Sequence, residues 1–224
     1  MRRAFSELRR YVVTSAVAKH RLFVWVEIPT VPANRLFVFP FDGDDFLGIL
    51  HSRVHETWSL ATVSWHGKGN DPTYNNQSCF ETFPFPSPSD VQREAIASAA
   101  KELDTLRSRW LNPPEWVKEN VLEFPASVDG PWARMVTNPN KDGIGTARYV
   151  RFVPVDDEAA VALKKRTLTN LYNDRPAWLA NAHRTLDEAV FAAYGWPPSL
   201  TDDELLARLL ELNLAMSAAE PAQS

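Results

Sequence analysis

A single cysteine, Cys79, in 224 residues excludes an intrachain disulfide framework and any zinc site built on several thiolates. No apolar run approaches the roughly 20 residues of a membrane span. The first residues, MRRAFSELRR, lack the apolar stretch of a signal peptide. A cytoplasmic protein with no membrane partner is the simplest expectation. No serine or cysteine nucleophile signature occurs. The two G-x-G stretches, HGKGN (66–70) and DGIGT (142–146), follow no clear apolar strand, so neither has the context of a cofactor-binding turn. A net charge of −4 is not that of a chain that coats nucleic acid along its whole length.

What charge there is, is unevenly placed. Residues 1–21 carry a net +5, including Arg9, Arg10, Lys19 and Arg21, whereas residues 187–224 carry −6. A basic front with an acidic tail fits contact with a polyanion at one end only. The front also reads as strands: YVVTSAVA (11–18), RLFVWVEI (21–28) and RLFVFP (35–40) are rich in β-branched and aromatic residues. Residues 44–61 show apolar positions at helical spacing, with Asp44 or Asp45 as N-cap. Residues 62–78 are polar and read as a long loop, and CFETFPFPSPS (79–89) as an extended, proline-punctuated segment.

Composition changes after Pro86. Residues 87–111 predict a long helix, with Ser87 and Asp90 as capping box and Val91, Ala95, Ala99, Leu103, Leu106 and Trp110 as its apolar stripe. Residues 112–155 look irregular, with short strands at ARMVT and RYVRFVPV. Helices follow at about 156–172, 176–194 (stopped by Gly195) and 202–215 (capped by Thr201 and Glu204). The expected helical core is Leu103, Leu106, Trp110, Leu168, Leu171, Trp178, Leu179, Leu186, Val190, Leu206, Leu209 and Leu210. The expectation is thus α+β: a small mixed α/β domain at 1–86, then a mainly helical domain at 87–215 with an irregular insertion at 116–155, and a disordered tail at 216–224.

Three stretches bear on chemistry. Asn112-Pro113-Pro114 begins like the Asn-Pro-Pro-aromatic tetrapeptide that methylates the adenine amine, but Glu115 offers no ring to stack on a flipped base. The stretch follows a charged helical pattern, where prolines are ordinary stop signals. His51 and His55 stand one helical turn apart, as zinc ligands often do, but no third ligand is evident, which favours a structural role. In the polar loop, Lys68, Asn70, Tyr74, Asn75, Asn76 and Gln77 are residue types that hold phosphates or read base edges.

Taken in order, FLGILHSRVHETW, GNDPTYNNQSCFETFPFP, AAKELDTLRSRWLNP, KRTLTNLYNDRPAWLANAHRTLDEAVFAAYGWP and TDDELLARLLELNL resemble the C-terminal end of the large MmeI-type adenine DNA methyltransferases of type IIL restriction–modification. The resemblance covers nearly all of residues 10–215 and is weakest at 116–155. It implies a target-recognition domain contacting double-stranded DNA, then a helical C-terminal region, with the catalytic and S-adenosylmethionine-binding domain upstream. On that reading the chain is a truncated or split form that binds no S-adenosylmethionine itself and partners a methyltransferase domain or subunit. Arg9, Arg10, Lys19, Arg21 and Lys68 would position phosphates, and Asn70, Tyr74, Asn75, Asn76 and Gln77 would supply base readout. The alternative is a helical interaction subunit that docks a separate catalytic chain.

Overall fold

The structure, a computed structural model, describes residues 8–66 and 71–219. It is α+β, as expected, with small antiparallel sheets and several helices. The chain forms two compact units that do not follow the composition change at Pro86. The first comprises residues 1–105 and 175–224, the second residues 106–174.

The first unit begins with strands β1 (Arg10–Ser15), β2 (Phe23–Glu27) and β3 (Leu36–Phe39), ordered β2–β1–β3 and antiparallel throughout. Strand alternation puts Val12 level with Trp25 and Phe39, and Thr14 level with Phe23 and Phe37, on one face. That face packs on Leu47, Leu50, Tyr74 and Cys79. The predicted helix at 44–61 is two helices, α1 (Asp44–His51) and α2 (Arg53–Thr62). Ser52 divides them: its hydroxyl donates to the Ile49 carbonyl at 2.7 Å and accepts from the His55 N–H at 3.4 Å, closing one helix and capping the next. Gly43, not an aspartate, is the N-cap of α1. Asp44 and Asp45 lie in its first turn, each 2.9 Å from a partner, Arg10 and Arg93 respectively.

The predicted loop at 62–78 holds a hairpin, β4 (Ser64–His66) with β5 (Asp71–Thr73), followed by a π-helical turn at Asn76–Glu81. Helix α3 (Asp90–Leu111) starts later than predicted, because the capping box is Ser89 with Gln92: each backbone N–H donates to the other's side chain. Its buried stripe is Ile96, Ala99, Ala100 and Leu103; Ala95 is exposed and Val91 is 80% exposed. Helices α6 (Ala177–Tyr194) and α7 (Asp202–Ala219) complete the unit. Gly195 ends α6 in the left-handed region at φ 68°, and Thr201 and Glu204 form the expected box on α7. Leu179, Leu186, Val190 and Leu209 are buried as expected, but α7 is rotated from its predicted register: Leu205 is buried, Leu206 half-buried and Leu210 exposed. Trp178 is likewise only half-buried, and the helix runs on to Ala219, into the expected tail.

These helices are tied to the sheet half of the unit. Arg53 grips Asp202 at 2.6 Å and the Leu200 carbonyl at 2.7 Å, and Tyr194 donates to the Pro84 carbonyl at 2.8 Å. On α1, a Cβ at Gly48 would come 2.7 Å from Ile96 Cγ2 and 3.1 Å from Leu186 Cδ1, so only glycine admits α3 and α6 this closely.

The second unit is a ribbon, not an irregular insertion. Strands β6 (Val117–Ser127) and β8 (Ile144–Pro154) pair over their whole lengths, and β7 (Val136–Thr137) joins the other edge of β8. Trp132 sits edge-on against Phe124 and Tyr149, covering part of one face. Helices α4 (Asp157–Leu163) and α5 (Leu168–Asp174) split the helix predicted at 156–172. The Arg166 guanidinium stacks 4.7 Å from the rings of both Trp110 and Trp116 and donates to the Trp110 carbonyl.

Candidate nucleic-acid interface

Of the ten residues expected to face DNA, the eight that the structure describes separate into three groups by burial and by place on the first sheet. Two are interior. Tyr74 is 1% exposed, ringed by Phe23, Phe37 and Phe39. Its hydroxyl lies 3.1 Å from His55 Nε2. Arg21 is 8% exposed; it donates to Thr14 Oγ1, to the Ser15 carbonyl and to the Pro72 carbonyl, and its guanidinium lies over the Tyr74 ring at 4.9 Å. Neither side chain can touch a ligand without unfolding its surroundings, so the base-reading role for Tyr74 and the phosphate role for Arg21 are corrected to internal ones. The signal missed was that an aromatic ring flanked by polar residues is still worth burying.

Arg9 and Arg10 lie at one end of the sheet, where β1 starts. Arg9 is exposed and lies with Arg10, Glu27 and Asp42 around a shallow depression. Arg10 is committed: it stacks 3.8 Å over Trp25 and donates to Asp44 Oδ1 at 2.9 Å and to the Asp42 carbonyl at 3.1 Å. It fastens the sheet to α1, which leaves Arg9 as the available cation at that end among the described residues.

The remaining groups gather at the opposite end, roughly 17 Å away along β1 at about 3.4 Å per residue. Lys19 is exposed between β1 and β2. Val17 bridges to Thr73, and the Tyr74 N–H donates to the Ala16 carbonyl at 2.8 Å, so the segment entering the π-helical turn is stitched to this end. Asn75 caps that turn, its Oδ1 accepting from the Gln77 N–H at 2.9 Å, and Asn76 donates to Glu81 Oε1 at 2.8 Å. Asn75 and Gln77 are exposed, and the Gln77 side-chain amide makes no hydrogen bond among the described residues. Lys68 and Asn70, between β4 and β5, lie outside the described residues. Arg35 was not foreseen. Its carbonyl accepts from the Ala16 N–H at 2.9 Å, its side chain is exposed, and no side-chain partner occurs among the described residues. Its position in a stretch read as a turn, TVPAN followed by Arg35, was the available signal.

The two helical histidines have internal work. His51 Nε2 meets the backbone of Phe23, and His55 Nδ1 meets the Leu50 carbonyl at 3.0 Å. Burial pushes the His55 pKa down to about 3, so the ring is neutral. No group of three or more His, Cys, Asp or Glu side chains able to hold a metal occurs among the described residues. The Asn112-Pro113-Pro114 stretch is a helix stop: Asn112 bonds back to Ser108, Pro113 accepts from the Trp116 N–H, and the Trp116 ring is taken by Arg166. Lys19, Arg35, Asn75 and Gln77 thus place exposed cationic and amide side chains at this end of the sheet.

These features define a small antiparallel sheet capped by helices, with a polar end. No protein-family model matches the chain, and no curated protein matches it. Among solved structures, that of the type IIL restriction–modification enzyme MmeI in complex with DNA shares the fold, with a TM-score of 0.61 and 19% identity over 93% of this chain. This chain spans 21% of the length of that one.

Proposed function

We infer that the chain is a DNA-contacting, target-recognition region of an adenine-N6 methyltransferase of the restriction–modification kind, acting in the cytoplasm beside a catalytic domain or subunit. The observation that carries this reading is the fold shared over 93% of the chain with an enzyme solved on DNA. The sequence stretches that resemble the same family support it independently. DNA contact is assigned to the sheet end bearing Lys19, Arg35, Asn75 and Gln77, with Lys68 and Asn70 as further candidates and Arg9 at the far end. Each phosphate contact contributes about 0.9 to the slope of log K against log salt. Replacing Lys19 and Arg35 by alanine is therefore expected to lower the slope by up to about 1.8 on any duplex. Replacing Gln77 is expected to change preference among sequences selected from a randomised duplex library, at about 1–3 kcal/mol per lost bidentate contact. Absence of duplex binding at low salt overturns the reading.

One observation favours the second reading, a subunit that docks a separate catalytic chain. Leu210 and Leu214, one turn apart, leave an apolar strip exposed on α7. Substituting both by serine would then abolish co-purification with a methyltransferase chain while leaving DNA binding intact.

A further inference from the structure

We propose that the second unit carries its own contact for the phosphodiester backbone of DNA, made by Arg109, Lys118, Lys164 and Lys165. This rests on the DNA-contacting reading above but uses none of the residues assigned there. The Arg166 guanidinium, stacked on Trp110 and Trp116, brings the end of α3, the start of β6 and the end of α4 to one place. Each of the four cations lies within two residues of a member of that stack. All four are exposed, and no side chain of the four makes a hydrogen bond or ion pair among the described residues.

Acidic neighbours do not cancel them. Glu115, exposed in the turn before Trp116, is the one carboxylate within the same two-residue reach. Asp156 is engaged as the N-cap of α4, its Oδ1 accepting from the Ala159 N–H at 2.8 Å. Asp157 and Glu158 follow it next to the start of β6, where the Val155 N–H donates to the Trp116 carbonyl, and stand about 10 Å along α4 from Lys164 and Lys165 at 1.5 Å per residue. A helix C-terminus accommodates one cation without any ligand. Four uncommitted cations around a stacked arginine exceed that need, in a chain whose net charge is negative. Exposed ammonium and guanidinium groups flanking a stacked arginine suit phosphates, which are positioned by charge and carry no base identity.

The test is a set of salt titrations of the full-length chain on one mixed-sequence duplex. Substituting Arg109, Lys118, Lys164 and Lys165 together by alanine is expected to lower the slope by up to about 3.6, and Lys164 and Lys165 alone by up to about 1.8. The Lys164→Arg, Lys165→Arg variant should keep the wild-type slope, since charge is retained. Melting temperatures should not move, because all four side chains are exposed. If the quadruple variant keeps the wild-type slope while Lys19→Ala, Arg35→Ala lowers it, this inference is overturned and the DNA reading stands. If the wild-type chain binds no duplex at low salt, both fall.

Discussion

At the scale of single residues, the buried ionisable groups make opposing claims on pH. His55 is held neutral, with its pKa pushed down to about 3 by burial. Its contribution is therefore complete above the unfolded value near 6.5 and is lost as pH falls from there towards 3, at up to about 1.4 kcal/mol per pH unit. Asp187 runs the other way. Burial raises it to about 6, even though its Oδ1 accepts the Arg53 N–H at 2.7 Å. The folded chain therefore takes up that proton first, and stability falls as pH rises from about 3.8 to about 6. The two slopes offset each other over most of that range. Asp187→Asn should remove one of them: in urea titrations, the variant's stability relative to wild type should climb between pH 4 and 6. A pH-independent difference would show that Asp187 is not desolvated as described. His51 and His55 also illustrate what a lone sequence can tell. Their spacing was visible, but the backbone groups and hydroxyl that meet their nitrogens come from Phe23, Leu50 and Tyr74, which spacing alone cannot bring together.

At the scale of elements, two predictions test helix contacts. Gly48→Ala should destabilise the chain although alanine favours a helix by about 1 kcal/mol, because the added Cβ meets Ile96 Cγ2 at 2.7 Å. Ile96→Ala should relieve part of that cost, so a double-mutant cycle by chemical denaturation should be non-additive by about 0.5–3 kcal/mol. On α7, Leu205→Ala should cost about 2–5 kcal/mol, whereas Leu210→Ala should stay within about 0.5 kcal/mol; equal melting temperatures would restore the register expected from the sequence. That register was misread because α7 is leucine-rich on several faces and only its partners decide which leucines are interior. The three strands of the first sheet were legible because one face is buried and alternation survives. Strand β6 was not, because both ribbon faces meet water for much of its length and its charged, Pro125-containing sequence shows no alternation. Among the site residues, Asn75 and Gln77 were found at the surface as their chemistry suggested, whereas Tyr74 and Arg21 needed the fold to show that they are interior.

At the scale of the whole molecule, DGIGT runs from the end of the β7–β8 turn into β8, with Asn140 Oδ1 accepting from the Asp142 and Ile144 N–H groups and Gly143 at φ 74°. It is therefore no cofactor cradle, and calorimetry of the isolated chain with S-adenosylmethionine should detect no stoichiometric complex in the micromolar range; such a complex would contradict the assignment of that cofactor to a separate domain. No helix among the described residues is long and apolar enough to cross a membrane. The first unit draws on residues before 105 and after 175, with the whole second unit between them in the chain. On a ribosome adding about 5–20 residues per second, the intervening 106–174 stretch occupies roughly 3–14 seconds. Throughout that interval the nascent strands and α1 have emerged, yet Leu186, which meets Gly48, has not been made. The apolar surface awaiting α6 and α7 is thus a timed vulnerability of synthesis, open to aggregation or to a chaperone until the last two helices arrive.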